Sequence, residues 1–231
     1  MAAAPRLTSL RQFDTCRLIP SRFADLEDSV LAPLAGDDDA LLRDLFDLDN
    51  ATNERLRGEA GLLPGIGIDE LVFGVPQFRM INAAYTYARP EGSRFNDGER
   101  GAWYCAFEPE TALAEVCFHK AVEYQEIERF DDSVTYQALL ADFNGSFHDI
   151  RGIANTRSFA KCLDPRSYVA SQALAAELLE SGSMGIIYPS VRRAEGTNLA
   201  CFRPALVGNV RKGPAYRLTW AGSPVPTVDV I

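Results

Sequence analysis

The chain has 231 residues, enough for one sizeable domain or a domain with an extension, and its 47% hydrophobic and 24% charged content is that of an ordinary soluble globular protein. Its formal net charge of −9 argues against unaided nucleic-acid binding, and it requires any anionic ligand to be held by local cations or helix N-termini. Five widely spaced cysteines with no CxxC pair indicate neither a disulfide framework nor a structural zinc site, and reduced thiols in a cytoplasmic protein are the simpler reading.

The first residues, Met1 to Arg6, lack the apolar core of a signal peptide, and nowhere do roughly 18 apolar residues run together as a membrane-spanning helix requires. Residues up to about 60 read as helical. Ser21 or Asp25 opens one candidate helix through Leu26, Val30 and Leu31, and Asp37 to Asp39 precede a second carrying Leu41, Leu42, Leu45, Phe46 and Leu48. Gly61, Pro64, Gly65 and Gly67 mark a loop, so residues 1–69 are expected to form a helical N-terminal extension and 70–231 a mixed body.

In the body, Leu71 to Phe73 and the ambiguous run Ala84 to Tyr87 are strand candidates, followed by a polar loop from Arg89 to Gly101. Trp103 to Phe107 reads as a short strand, and Pro109 at a first helical position opens a helix to about Tyr124. Ser133 to Leu140 reads as a strand, and Ser167 to Leu179 as a helix ended by Gly182. Met184 to Tyr188, Leu199 to Phe202, Leu206 to Val210 and Tyr216 to Trp220 complete the strand candidates. Helices alternate irregularly with short strands, which gives an α+β class.

The segment from Gly92 to His119 carries the chemistry. Arg94 lies in a Gly-rich polar loop able to present backbone N–H groups and a guanidinium to a phosphate. Taken alone, such an arginine is usually just solvated. Trp103 and Tyr104 are neighbours on a strand and point to opposite faces, so one enters the core and the other can line a pocket. Glu115 sits in a helix whose apolar residues cover nearly the whole circumference; that helix should be mostly buried, and a carboxylate there is costly unless paired or used. A buried ion pair is the structural alternative. His119 follows one turn later on the same face, suited to hydrogen-bond Glu115 or a substrate. The pair lacks the HExxH zinc pattern and no metal is expected. Cys117 and His119 do not face each other, so a Cys–His nucleophile is doubtful. Ser190 follows a likely strand without the Gly-x-Ser-x-Gly elbow of a hydrolase, and Arg192, Arg193 and Asn198 lie close enough in sequence to add phosphate or ribose contacts. A cation, an aromatic face and a carboxylate together suit a dinucleotide such as NAD.

Taken together, these residues resemble the RES domain, the toxin half of Xre–RES toxin–antitoxin systems. The shared pattern is Arg94-Phe95-Asn96 with Gly98, then Tyr104-Cys105-Ala106, then Ala112, Glu115 and His119, and finally Pro189-Ser190 with Asn198. The resemblance spans roughly residues 70 to 225, and the long leading part resembles the ParT-like subgroup. Phenylalanine stands where Tyr or Trp often follows the arginine, which keeps ring stacking but no hydroxyl contact.

The resemblance implies a fold similar to ADP-ribosyltransferase toxins: two small packed sheets with flanking helices and NAD, as substrate, between the sheets. It implies that Glu115 stabilises a ribosyl cation, that Arg94 clamps phosphate, and that Tyr104 with Phe95 walls the nicotinamide. His119, Ser190 and Asn198 would complete the nucleotide site. Family members hydrolyse or phosphorolyse NAD, or transfer its ADP-ribose to a protein; the extension tilts the expectation towards mono-ADP-ribosylation. An Xre-type antitoxin, in a 2:2 assembly, is the implied partner. A non-enzymatic interaction module and a serine hydrolase built on Ser190 are the competing classes.

Overall fold

The computed structural model describes residues 5–24, 65–153, 156 and 159–231. Seven strands and three α-helices follow in the order β1 (Leu7–Pro20), α1 (Phe78–Thr86), β2 (Trp103–Ala106), α2 (Pro109–Glu126), β3 (Asp131–Asp149), α3 (Val169–Glu180), β4 (Gly185–Pro189), β5 (Thr197–Cys201), β6 (Gly208–Ala221) and β7 (Thr227–Val230). The α+β class holds. Strand β3 is the spine: it pairs antiparallel with β1 on one side and with β6 on the other, and β6 pairs with β7. A second, shorter group, β2-β5-β4, is antiparallel throughout. The two groups join at two short seams. One is a parallel pairing of His148 with Ile186 and Asp149 with Ile187; the other is the pair Cys16 with Ala106. The two expected small sheets are therefore hydrogen-bonded into one seven-stranded sheet that closes on itself.

Three apolar clusters fill this frame. One lies under α1 and holds Met80, Ile81, Tyr85, Trp103, Phe143, Phe147, Ile187 and Leu199. A second packs α3 against the other face of β4 and β5, through Ala175, Leu178, Ile186, Tyr188, Ala200 and Phe95. Strand β4 is thus covered on both faces, which explains its unbroken apolar run. The third lies beneath α2 and includes Ala112, Tyr124, Tyr136, Leu218 and Trp220. Trp103 and Tyr104 do face opposite ways, Trp103 into the first cluster and Tyr104 against the second.

Several sequence expectations are corrected. Leu7–Pro20 is a strand, not part of a helical extension. It pairs with β3 from Leu7 opposite His148 to Pro20 opposite Tyr136, so tertiary pairing overrides the weak local signal. Ser21–Phe23 is a single 3-10 turn. The candidate helices opening at Asp25 and Asp37 lie outside the described residues. Leu71 to Phe73 is not a strand: the Asn82 side chain accepts the N–H of Val72 at 3.0 Å and donates to its carbonyl at 2.8 Å, standing in for a partner strand. Ala84 to Thr86 is the end of α1. Of the last two strand candidates, Leu206 closes a 3-10 turn capped by Val207, and Gly208 to Val210 and Tyr216 to Trp220 fall in the one long strand β6. Helix α2 is only partly buried, with Thr111, Ala112 and Tyr124 its buried residues; it packs one side on β1 and β2 and leaves Val122 exposed.

Candidate active site

The site forms where α2, the β4–β5 connection and the Arg94 loop meet at one edge of the β2-β5-β4 group. Glu115, half-buried on α2, supplies its carboxylate. Its Oε1 accepts the hydroxyl of Ser190 at 2.7 Å and the Asn198 amide at 2.9 Å. Ser190 follows the last residue of β4, and Asn198 lies on β5 opposite Tyr188, 4% exposed. The Ser190 oxygen in turn accepts the backbone N–H groups of Arg192 at 3.1 Å and Arg193 at 3.2 Å. With its hydroxyl donating to Glu115 and its oxygen accepting two N–H bonds, Ser190 ties the carboxylate to the backbone of Arg192 and Arg193. Both bonds to the carboxylate fall on Oε1, and they fix its orientation from one side.

The Arg94 loop is a tight turn in which the Ser93 N–H donates to the Asn96 carbonyl at 2.8 Å. Gly92, at φ +70°, sits where any Cβ would run into the backbone of Asn96 and Asp97. Tyr104 pins the loop by donating its hydroxyl to Asn96 Oδ1 and accepting the Phe95 N–H, both at 2.8 Å. Burial holds the Tyr104 phenol well above its ordinary range, so it stays protonated. Gln172 on α3 donates to the carbonyls of Glu91, Ser93 and Asn96 at 2.9 to 3.1 Å.

Two residues stand differently from the sequence expectation. Arg94 is 7% exposed, not a solvated loop cation. Its Nη1 donates to the carbonyls of Cys162 and Asp164, both at 3.0 Å, and its guanidinium lies 4.9 Å from the Tyr168 ring centroid. Phe95 is a core residue, 1% exposed and 4.7 Å from the Tyr188 ring; it cannot wall an open cleft as placed.

His119 stands at the solvent-facing rim of α2, its ring edge-on to Phe118 at 5.5 Å. Crowding by neighbouring atoms lowers its pKa; the Glu115 charge opposes that shift, and Arg192, Arg89 and Arg94 add to it. The imidazole is therefore held neutral at pH 7. Arg192 stacks on the Phe118 ring, its Cζ 3.3 Å from the centroid, and donates Nη2 to the Pro165 carbonyl at 2.9 Å. Its Nε is buried and finds no partner among the described residues. Desolvation lowers the Arg192 pKa and Glu115 opposes it, which places the two in each other's field.

The structure thus brings together Glu115, Ser190, Asn198 and His119, and sets Arg94, Tyr104 and Phe95 behind them as a buttress. Tyr168, Gln172, Glu108 and Thr111 were not visible as site residues in the sequence. Tyr168 and Gln172 meet partners tens of positions away, and although Glu108 and Thr111 bond each other three positions apart, the segment they hold lies 82 and 89 positions on. Thiol chemistry is not poised here: burial pushes Cys105 and Cys16 up to about 12 and Cys201 up to about 11. Among the described residues no cluster of His, Cys, Asp or Glu is placed to hold a metal ion, and no helix is long and apolar enough to cross a membrane. What the arrangement offers is an oriented carboxylate beside cationic side chains on an otherwise acidic protein, suited to stabilise positive charge next to an anionic group.

A family model described as RES domain matches residues 71–221. The uncharacterized protein y4oC of Sinorhizobium fredii (strain NBRC 101917 / NGR234) is 28% identical over 208 residues, covering 90% of this chain and 83% of that one. A solved M. tuberculosis structure, that of the MbcT-MbcA toxin-antitoxin complex, aligns over 91% of this chain and 87% of the other at 12% identity, with a TM-score of 0.48.

Proposed function

Because the chain belongs to the RES-domain family, we propose that it is the toxin of a toxin–antitoxin pair and that its substrate is NAD. The observation that carries this reading is Glu115, whose Oε1 is anchored by both Ser190 and Asn198. Breaking the nicotinamide–ribose bond sends the bonding electron pair to nicotinamide and leaves an oxocarbenium-like cation on the ribose. Glu115 accepts a hydrogen bond from a ribose hydroxyl and stabilises that charge. We assign the pyrophosphate to Arg192 and, in keeping with the motif, to Arg94, whose Nη1 is also held by two backbone carbonyls. Tyr104 acts chiefly by holding the Arg94 loop.

For the captor of the cation we favour a protein side chain, which makes the protein a mono-ADP-ribosyltransferase. Water or phosphate can capture the same cation, and a glycohydrolase or phosphorylase that depletes NAD is the alternative. The partner on this reading is an Xre-type antitoxin covering the cleft in a 2:2 complex, and the compartment is the cytoplasm. The test is to incubate purified protein with NAD and quantify free nicotinamide. Mass spectrometry of products formed with phosphate and with cell lysate then identifies the captor. No nicotinamide release under any of these conditions would reduce the fold to a non-enzymatic interaction module.

A further inference from the structure

The N-cap of helix α2 is a carboxylate that neither the motif nor the chemistry above uses. Glu108 is the N-cap of α2 and Thr111 lies in its first turn. Glu108, Thr111 and Glu115 are spaced i, i+3 and i+7, which puts all three on one face of the helix. That face meets residues 190–197, the β4–β5 connection together with the first residue of β5. Thr111 is fully buried, and its hydroxyl donates to Glu108 Oε2 at 2.8 Å. It also accepts Arg193 Nη1 at 3.2 Å. Glu108 Oε2 takes the Thr197 N–H at 3.3 Å and lies 3.9 Å from Arg193 Nη1. Gly196 passes so close that a Cβ there would stand 2.6 Å from the Thr111 hydroxyl. Within the connection, Ser190 N–H donates to the Gly196 carbonyl at 2.8 Å.

We infer that Thr111 and Glu108 are positioning residues: they latch the 190–197 connection onto the first turn of α2, so that Ser190 and Asn198 arrive together at Oε1 of Glu115 two turns on. Ser190 begins this connection and Asn198 follows it directly, so both donors depend on where it sits. With the latch in place the carboxylate has one orientation. Without it the two donors shift relative to the acid and the carboxylate loses that orientation. The inference rests on Glu115 being the working carboxylate, and it adds residues that touch neither NAD nor the reacting atoms.

The test compares Thr111→Val, which keeps the shape and removes the hydroxyl, with Thr111→Ser, which restores it. An error in placing a catalytic group acts at the transition state more than in the ground state. Thr111→Val should therefore lower kcat about tenfold or more while KM for NAD stays within about twofold, since small misplacements carry costs of this size. Thr111→Ser should return kcat to near the wild-type value. A Thr111→Val enzyme with wild-type kcat, one that changes KM alone, or a Thr111→Ser enzyme as impaired as the valine variant would each overturn the latch. A crystal structure of Thr111→Val decides the matter even if NAD is not the substrate. The latch predicts that the Ser190–Glu115 and Asn198–Glu115 bonds are lengthened or broken, and their unchanged presence refutes it. Failure of wild-type protein to release nicotinamide, by contrast, strikes the proposed activity and leaves the geometric test standing.

Discussion

Two donors that lie 75 and 83 positions from Glu115 in the chain converge on one of its oxygens. Two donors on a single oxygen leave the carboxylate little freedom to rotate, so Ser190 and Asn198 hold its orientation. Replacing Glu115 by glutamine keeps the volume and an acceptor oxygen but removes the charge. Turnover of NAD should fall by about 10² or more, the scale for losing a transition-state electrostatic contact, with the melting temperature little changed. Turnover close to wild type in Glu115→Gln would remove this residue from the chemistry. That Glu115, Ser190 and Asn198 belong together was legible in the sequence only through the joint order of the motif, and the structure brings the three into contact; taken singly, each fits a structural role. The burial of Arg94 and Phe95 was not legible at all. Their loop is polar and Gly-rich, which signals exposure, and what packs on them is Tyr168, at the N-cap of α3, and Tyr188 on β4, both far along the chain.

At the scale of elements, the readable parts were those with strong local grammar. Pro109 marks the start of α2, and the apolar run after Gly185 marks β4. Strand β1 was unreadable because its partner, β3, lies more than a hundred residues away and its own residues alternate poorly, with a bulge between Gln12 and Thr15. The segment at Val72 shows the opposite case, a strand-like sequence that finds a side chain where a ladder would be. Asn82 is 7% exposed and satisfies both backbone groups of Val72. Asn82→Ala leaves a backbone donor and acceptor without their partner and should cost about 1–3 kcal/mol of stability. Denaturant titration would show this as a lower midpoint with an unchanged slope. An unchanged midpoint would mean that water replaces the amide, and that α1 does not depend on Asn82 to hold the segment in place.

For the whole molecule, the vulnerable place is the seam where the two strand groups join. His148 lies there, opposite Ile186, with its Nδ1 2.8 Å from the Ser183 hydroxyl. Burial lowers its pKa, and crowding lowers that of His119. In the unfolded chain both histidines take up a proton near the ordinary value of about 6.5, whereas the folded protein resists protonation until lower pH. Below about pH 6.5 the unfolded state thus binds more protons than the folded one, and stability falls with pH. Asp149, beside His148 at the same seam, behaves as a depressed carboxylate through its bonds to Arg151 despite a desolvation cost. Its contribution is intact above the ordinary carboxylate range and is lost only below about pH 4. Two acid transitions should therefore be separable: a gradual loss of stability from about pH 6.5 downward, carried by histidine, and a steeper one near pH 4, carried by carboxylates. Thermal melts from pH 7.5 to 3.5 on the wild type and on His148→Gln resolve them. The glutamine variant should flatten the first transition and leave the second in place. If its melting temperature declines between pH 6.5 and 5 as steeply as that of the wild type, the seam does not open through His148, and His119 at the rim of the site becomes the group that couples acid to stability.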